Sequence, residues 1–236
     1  MPTRAIPYLK AVLHLLCLLP LLYLLRQYRS GALANLADPT NYLTHFTGDW
    51  GLWLLLADLA ITPLRRLNPA FAWLIRVRRM VGLWAFFYVT LHLSIYVILF
   101  SGYDLPTAWE GLQTGHLGEP WNQLKLIWPR MLDDVEKRPF IQVGLFAWVI
   151  LLTLAATSPQ RVLRAMGGKN WQRLHRAIYL AGIAAVVHYW WLVKTGVRTP
   201  WKVTAVLVVF LLARVVYLVM KRLQKPHTVA SLAQPF

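Results

Sequence analysis

Six apolar stretches alternate with polar and basic segments along this 236-residue chain. They run roughly over 8–26, 48–64, 80–101, 140–157, 171–193 and 201–220. About 20 helical residues cross the hydrocarbon core of a bilayer, and each stretch is near that length. Lipid admits only helices or closed barrels, because every backbone polar group must be paired internally. No ten-residue alternation of the barrel kind is present. The pattern predicts an all-α integral membrane protein, a six-transmembrane-helix bundle over residues 1–225 with a tail at 226–236. Internal repeats and low-complexity segments are not evident.

Composition agrees with that class. The chain is 58% hydrophobic and 14% charged, with mean hydropathy +0.47; a soluble domain is less apolar and more charged. The net charge of +16 suggests nucleic acid until its placement is considered. Lys and Arg cluster beside the apolar spans, as membrane topology requires. With the N-terminus inside, the inner segments hold fifteen of the 25 basic residues, among them Arg65, Arg66, Arg76, Arg78, Arg79, Arg173 and Arg176. Eight of the nine acids fall outside, Asp58 excepted. Both termini are then cytoplasmic. A competing reading makes the first 34 residues a cleaved signal, with Ala32-Leu33-Ala34 as the site; the long apolar run and the intervening Arg26 and Arg29 favour a retained first helix.

The loops differ. Residues 65–79 and 158–170 are basic inner connections, the second carrying Gly167-Gly168. Residues 102–139 form the longest connection, on the outer side; its stretch 104–136 holds six acids against Lys125 and Arg130. Pro106, Pro120, Pro129 and Pro139 break it up, and Trp109, Trp121 and Trp128 place it at the lipid interface.

The candidate chemistry lies in histidines. Cys17 is the lone cysteine, which excludes intrachain disulfides, cysteine-ligated clusters and CxxCH haem attachment. His92, His175 and His188 sit in apolar runs, where an imidazole carries a desolvation cost unless satisfied. Neutral imidazole offsets that cost by ligating a metal, and axial histidine is a standard haem-iron ligand. These residues point to a membrane cytochrome b with non-covalent haem. At about 1.5 Å rise per residue, His92 lies about 18 Å into the third span, His188 about 25 Å into the fifth, and His175 about 6 Å into the fifth. His92 and His188 can therefore hold one haem between the third and fifth helices, in the outer half.

His175 has two readings, ligand of a second, inner haem or interfacial histidine. On a straight helix it points about 140° away from His188, so the helix is distorted, near Gly182, or His175 faces a different partner. His14, at similar depth in the first helix, is the candidate partner; its other reading is a hydrogen-bonded packing residue. His45 stands at the start of the second span, able to touch a quinone or a partner protein, or simply beginning a helix. His116 and His227 read as solvated. Arg79 and Arg214 have the guanidinium chemistry to bind haem propionates or a flavin phosphate; the alternative is snorkelling to headgroups. Asp58 pairs with a buried arginine or orients a ligating histidine. No phosphate-cradling loop, HExxH or Ser/His/Asp set supports another chemistry.

The segments LKAVLHLLCLLP, HFTG, ADLAITPLRRL, RVRRMVGLWAFFYVTLHLSIY, KRPFIQVGLFAWVILLTLAATS and GKNWQRLHRAIYLAGIAAVVHY, over about residues 9 to 220, resemble the MsrQ (YedZ) family of ferric-reductase-like transmembrane proteins. The resemblance implies an inner-membrane conduit carrying heme b (one or two) and FMN. Electrons would come from the quinone pool or a cytosolic flavin reductase and go to the periplasmic MsrP-type methionine sulfoxide reductase, with no sulfoxide site on this chain. It also implies His92, His175 and His188 as ligands. Where the wider group has a second third-helix histidine, this chain has Arg79, and its outer loop is longer than the family's. Two rivals to this reading are a transmembrane ferric reductase and, in another class, a proton or ion transporter relaying through His and Asp58. A non-redox anchoring scaffold is a third.

Overall fold

The computed structural model describes residues 5–193 and 199–224. All of its regular structure is helical. The long helices are α1 (Ile6–Arg29), α2 (Pro39–Leu67), α3 (Ile75–Ile95), α6 (Pro139–Ala156), α9 (Ile178–Leu192) and α10 (Thr199–Leu223). Two further helices, α4 (Leu105–Gln113) and α5 (Glu119–Lys137), join α3 to α6; two short ones, α7 (Gln160–Met166) and α8 (Gly168–Leu174), join α6 to α9.

Among the described residues four stretches are long and apolar enough to cross a membrane: Ile6–Arg29, Pro69–Phe100, Pro139–Ala156 and Pro200–Leu223. The expected spans at 48–64 and 171–193 are α2 and α9. α2 has the length but also Asp49 and Asp58 within it, and α9 has 15 residues, about 22 Å of rise.

The elements start and stop for local reasons. Asp38 caps α2, its carboxylate accepting from Asn41 N–H at 2.9 Å. α2 therefore begins at Pro39, well before residue 48, and His45 sits inside the helix rather than at its first turn. The basic inner connection 65–79 is mostly helical: α2 runs to Leu67, a 3-10 turn covers Pro69–Leu74, and α3 follows. The prolines of the outer connection begin helices more than they break it. Pro106, Pro120 and Pro139 occupy the first turns of α4, α5 and α6, where a missing N–H costs nothing, and only Pro129 lies inside a helix. Gly167, at φ +74°, separates α7 from α8, a backbone shape that L side chains rarely adopt. The distortion of the fifth span lies at a 3-10 turn, His175–Ala177, and not at Gly182. Gly182 is inside α9, where an added Cβ would stand 3.2 Å from Leu59 Cδ1.

Two helix pairs form the core, α2 against α3 and α6 against α9, and these are the most extensive packings in the molecule. Leu55, Leu56, Leu59, Ala85 and Ala181 are all but inaccessible between them. α10 packs on α2 and α9, with Trp190 Nε1 donating to Thr204 Oγ1 at 2.8 Å. α1 is the outlier. It touches α3 through Tyr88, whose hydroxyl donates to the Cys17 carbonyl at 2.7 Å, and through Trp84, and it stacks Tyr23 on Phe46 of α2, while it exposes Leu15, Leu16, Leu19 and Leu22. Such a surface suits lipid and not water.

The two pairs are built alike. Thr44, Gly48 and His92 in the first have counterparts Phe140, Gly144 and His188 in the second: 44 to 140, 48 to 144 and 92 to 188 are equal steps of 96 residues. Ala85 and Ala181, both 0% exposed, stand in the same relation. The molecule thus contains a structural repeat where none was expected, because the equivalence lies in a few contact positions and not in running similarity.

Candidate functional site

His92 on α3 and His188 on α9 face each other with ring centroids 6.1 Å apart and planes at 85°. Each ring is pinned the same way. His92 Nδ1 lies 2.9 Å from the Thr44 carbonyl oxygen, and His188 Nδ1 lies 2.6 Å from that of Phe140. A carbonyl only accepts, so Nδ1 carries the proton and Nε2 keeps its lone pair. That is the tautomer a metal ligand needs, held by the backbone contact that orients such ligands elsewhere.

Glycines make the arrangement fit. A Cβ at Gly48 would stand 3.0 Å from His92 Nδ1, and one at Gly144 would stand 2.8 Å from His188 Nδ1. Each imidazole lies flat on a helix one turn along from the carbonyl it binds. Thr44 and Phe140 lie in the N-terminal parts of α2 and α6. A carbonyl oxygen has two lone pairs, so each can accept an imidazole N–H beside a helical bond, and the Thr44 oxygen also accepts from Thr47 Oγ1 at 3.2 Å.

The rings border a cavity of about 280 Å³ between α2, α3, α6 and α9. Its wall is mostly apolar, including Leu52, Leu55, Val89, Leu93, Ala147 and Leu151; polar groups such as Asn41, His45, Asp49, Tyr96 and Arg138 also line it. Trp148, in the wall, donates to Thr90 Oγ1 at 3.1 Å and ties α6 to α3.

The pair fits one iron. Two metal–nitrogen bonds of about 2 Å in line, each with about 1 Å more to the ring centre, span about 6 Å, matching the observed separation. Among the described residues no three His, Cys, Asp or Glu converge on one point. Two opposed imidazoles beside an apolar slot suit an iron whose remaining ligands come from a planar macrocycle.

The other predicted residues go elsewhere. His175 stacks on Trp171 at 3.7 Å, and its Nε2 lies 3.2 Å from Thr157 Oγ1. His14 Nδ1 accepts from Trp84 Nε1 at 2.9 Å. Arg79 lies over Trp171, 5.9 Å from the ring centre. Arg214 hydrogen-bonds the Tyr179 hydroxyl and lies over that ring. Asp58, 4% exposed, pairs with Arg78 at 3.4 Å and orients no histidine. His45 lines the cavity. His116 Nδ1 contacts Thr114 Oγ1 at 3.0 Å in the outer loop, and His227 lies outside the described residues.

The profile of the ferric reductase like transmembrane component matches residues 15–186. Proteins described as the heme-binding subunit MsrQ of protein-methionine-sulfoxide reductase match nearly end to end. The one from Xanthomonas axonopodis pv. citri is 39% identical over 230 residues, 96% of this chain and 92% of its own. That from Xanthomonas oryzae pv. oryzae is 40% identical over 206 residues, 86% and 83%. That from Ralstonia nicotianae is 38% identical over 191 residues, 81% and 76%. The chain belongs to the MsrQ family. No solved structure matches it.

In this MsrQ-family chain the profile match includes His92 and stops two residues short of His188. Thr44, Gly48, Phe140 and Gly144, which hold the rings, were not singled out from sequence, although HFTG and KRPFIQVG contain three of them. The signal was there as equal spacing: His92 and His188 each follow their carbonyl by 48 residues.

Proposed function

We propose that this chain is a membrane cytochrome b of a methionine sulfoxide reductase system, with one haem b held between His92 and His188. The observation that carries the reading is the pair of rings 6.1 Å apart, each held at Nδ1 by a backbone carbonyl, which leaves Nε2 with its lone pair. The relatives' description as heme-binding subunits agrees with it. The haem, when bound, supplies reversible one-electron iron chemistry.

The protein's part is ligation, burial and orientation. His92 and His188 would hold the haem iron through Nε2, the apolar wall excludes water, and Gly48 and Gly144 admit the rings. In this reading α1, α2, α3, α6, α9 and α10 are the six spans of a bacterial inner-membrane protein whose two termini are cytoplasmic. Electrons arrive from the quinone pool or a cytosolic flavin reductase and leave on the outer side for a periplasmic MsrP-type reductase, near the acidic α4–α5 segment. FMN as a further cofactor rests on the family resemblance, and flavin released by acid from the purified protein is its test. A second haem at His175 requires that imidazole to leave Trp171 and Thr157, so haem per chain decides between one and two.

A reduced-minus-oxidised spectrum of the purified chain tests the central claim. A low-spin bis-histidine spectrum that is lost in His92→Ala and in His188→Ala supports it; a colourless, fully loaded preparation ends it. The ferric reductase alternative uses the same wiring, and reduction of ferric chelate without the periplasmic partner would select it. A proton relay through Asp58 has no support in the geometry, since that carboxylate is engaged by Arg78.

A further inference from the structure

We propose that Arg138 binds a carboxylate of the haem and that Asp134 and Tyr96 position it for that contact. The inference rests on the haem reading above and concerns residues that reading leaves unused.

Among the described residues Arg138 is the one Lys or Arg that lines the cavity. It stands at the junction of α5 and α6, in extended backbone at φ −119° and ψ 91°, as a residue before proline prefers. Asp134, one turn earlier on α5, engages it: Arg138 Nε lies 3.2 Å from Asp134 Oδ1. The second oxygen of that carboxylate accepts from the Tyr96 hydroxyl at 3.0 Å. Tyr96, also in the cavity wall, opens the π-turn Tyr96–Phe100 that ends α3. One carboxylate thus joins three elements at the cavity rim. Asp134 is largely buried, with side-chain exposure of 15% against 53% for Arg138. The acid is spent inside the protein while the guanidinium remains available beside the slot.

This arrangement suits an anionic ligand better than an apolar one. Asp134 takes the Nε edge, and among the described residues the terminal guanidinium nitrogens have no other hydrogen-bond partner. A guanidinium offers paired N–H groups to a carboxylate. Asp49, the acid in the same wall, is engaged by Tyr189. Haem b carries two carboxylates and no other charge outside its iron core. Arg138 also lies two residues before Phe140, whose carbonyl holds His188. The carbonyl that orients His188 and the cation are therefore two residues apart at one helix start, so a haem held by His188 would lie beside Arg138.

The test is reconstitution of the full-length apoprotein in detergent with haem b and with haem dimethyl ester, whose carboxylates are capped, followed by Soret titration. Wild type should prefer haem b by about tenfold, one charge-assisted hydrogen-bonded pair. Arg138→Gln should bind the ester as wild type does, which reports an intact fold, and should lose the preference to within about twofold. Arg138→Lys should keep part of it, and Asp134→Asn and Tyr96→Phe should reduce it without abolishing haem binding. The midpoint potential of bound haem b should fall in Arg138→Gln, because a nearby cation favours the reduced form. An unchanged preference in Arg138→Gln, or equal binding of the two haems by wild type, overturns the proposal; equal binding would mean that Arg138 serves a lipid phosphate or only Asp134. Failure of wild type to bind either haem would instead overturn the cytochrome reading. Should Arg138→Gln fail to fold, Arg138→Lys and Asp134→Asn carry the comparison.

Discussion

At the scale of single residues, the site depends on what is missing as much as on what is present. Gly48 and Gly144 have no Cβ because an imidazole lies where it would be, at 3.0 and 2.8 Å. An added methyl group must push the ring off its carbonyl, an overpacking that costs about 1–3 kcal/mol. Gly144→Ala is expected to weaken haem binding by roughly 5- to 100-fold, with Gly48→Ala milder, in a Soret titration. The reverse ordering would mean that the His92 side is the tighter one. His14 gives a contrast. Its ring accepts the Trp84 N–H at 2.9 Å, so His14→Ala should lower stability by about 1 kcal/mol and leave haem per chain unchanged. A drop in haem content in that variant would make His14 a ligand. These histidines look alike in sequence, each being a polar residue in an apolar run. What separates them is the partner across the helix interface, and that is not written in either run alone.

At the scale of elements, the outer segment differs most from its sequence expectation. Prolines that suggested a broken connection start helices there, because the first turn of a helix has no use for their missing N–H. The Asp104 carboxylate caps α4. It accepts from the Thr107 N–H at 3.1 Å and hydroxyl at 2.8 Å, and these bonds hold it below the usual carboxylate range. A depressed folded-state value means that the cap is fully present above the ordinary carboxylate pKa of about 4 and is lost as pH falls through the lower, folded one. Protection of the first-turn amides of α4 against exchange, taken relative to the unstructured rate at the same pH, should therefore fall in acid, and Asp104→Ala should show that lower protection already at neutral pH. Within the core, α2 and α3 meet at Gly51, where a Cβ would lie 2.7 Å from Val89 Cγ2 and 3.2 Å from Val89 N. The backbone nitrogen cannot yield as a side chain can. Gly51→Ala should cost about 1–3 kcal/mol, read as a lower midpoint in thermal unfolding with haem bound.

At the scale of the whole molecule, two similar helix pairs present one histidine each to a shared cavity, so a ligand on both rings would tie the halves together. Binding to the folded state alone raises stability by about 4 kcal/mol at a thousandfold excess over Kd. The haem-loaded protein should melt well above the apoprotein, and His188→Ala should remove most of the increment; equal melting of both forms would show that the pairs are held together without it. The sequence by itself determined the class. Long apolar runs in lipid leave the backbone no alternative to helices, and two imidazoles at compatible depths within such runs announced a ligand pair. It also carried the family, through motifs spread along most of the chain. Tertiary structure decided the rest. The break at His175–Ala177, the Trp84 partner of His14, the Arg78 partner of Asp58 and the Asp134 bridge at the rim all join residues from different elements. The repeat of 96 residues escaped notice because close packing constrains only the few positions where helices touch. The lipid-facing remainder need only be apolar, so the equivalence shows at the carbonyl, the glycine and the histidine and not along the rest of each half.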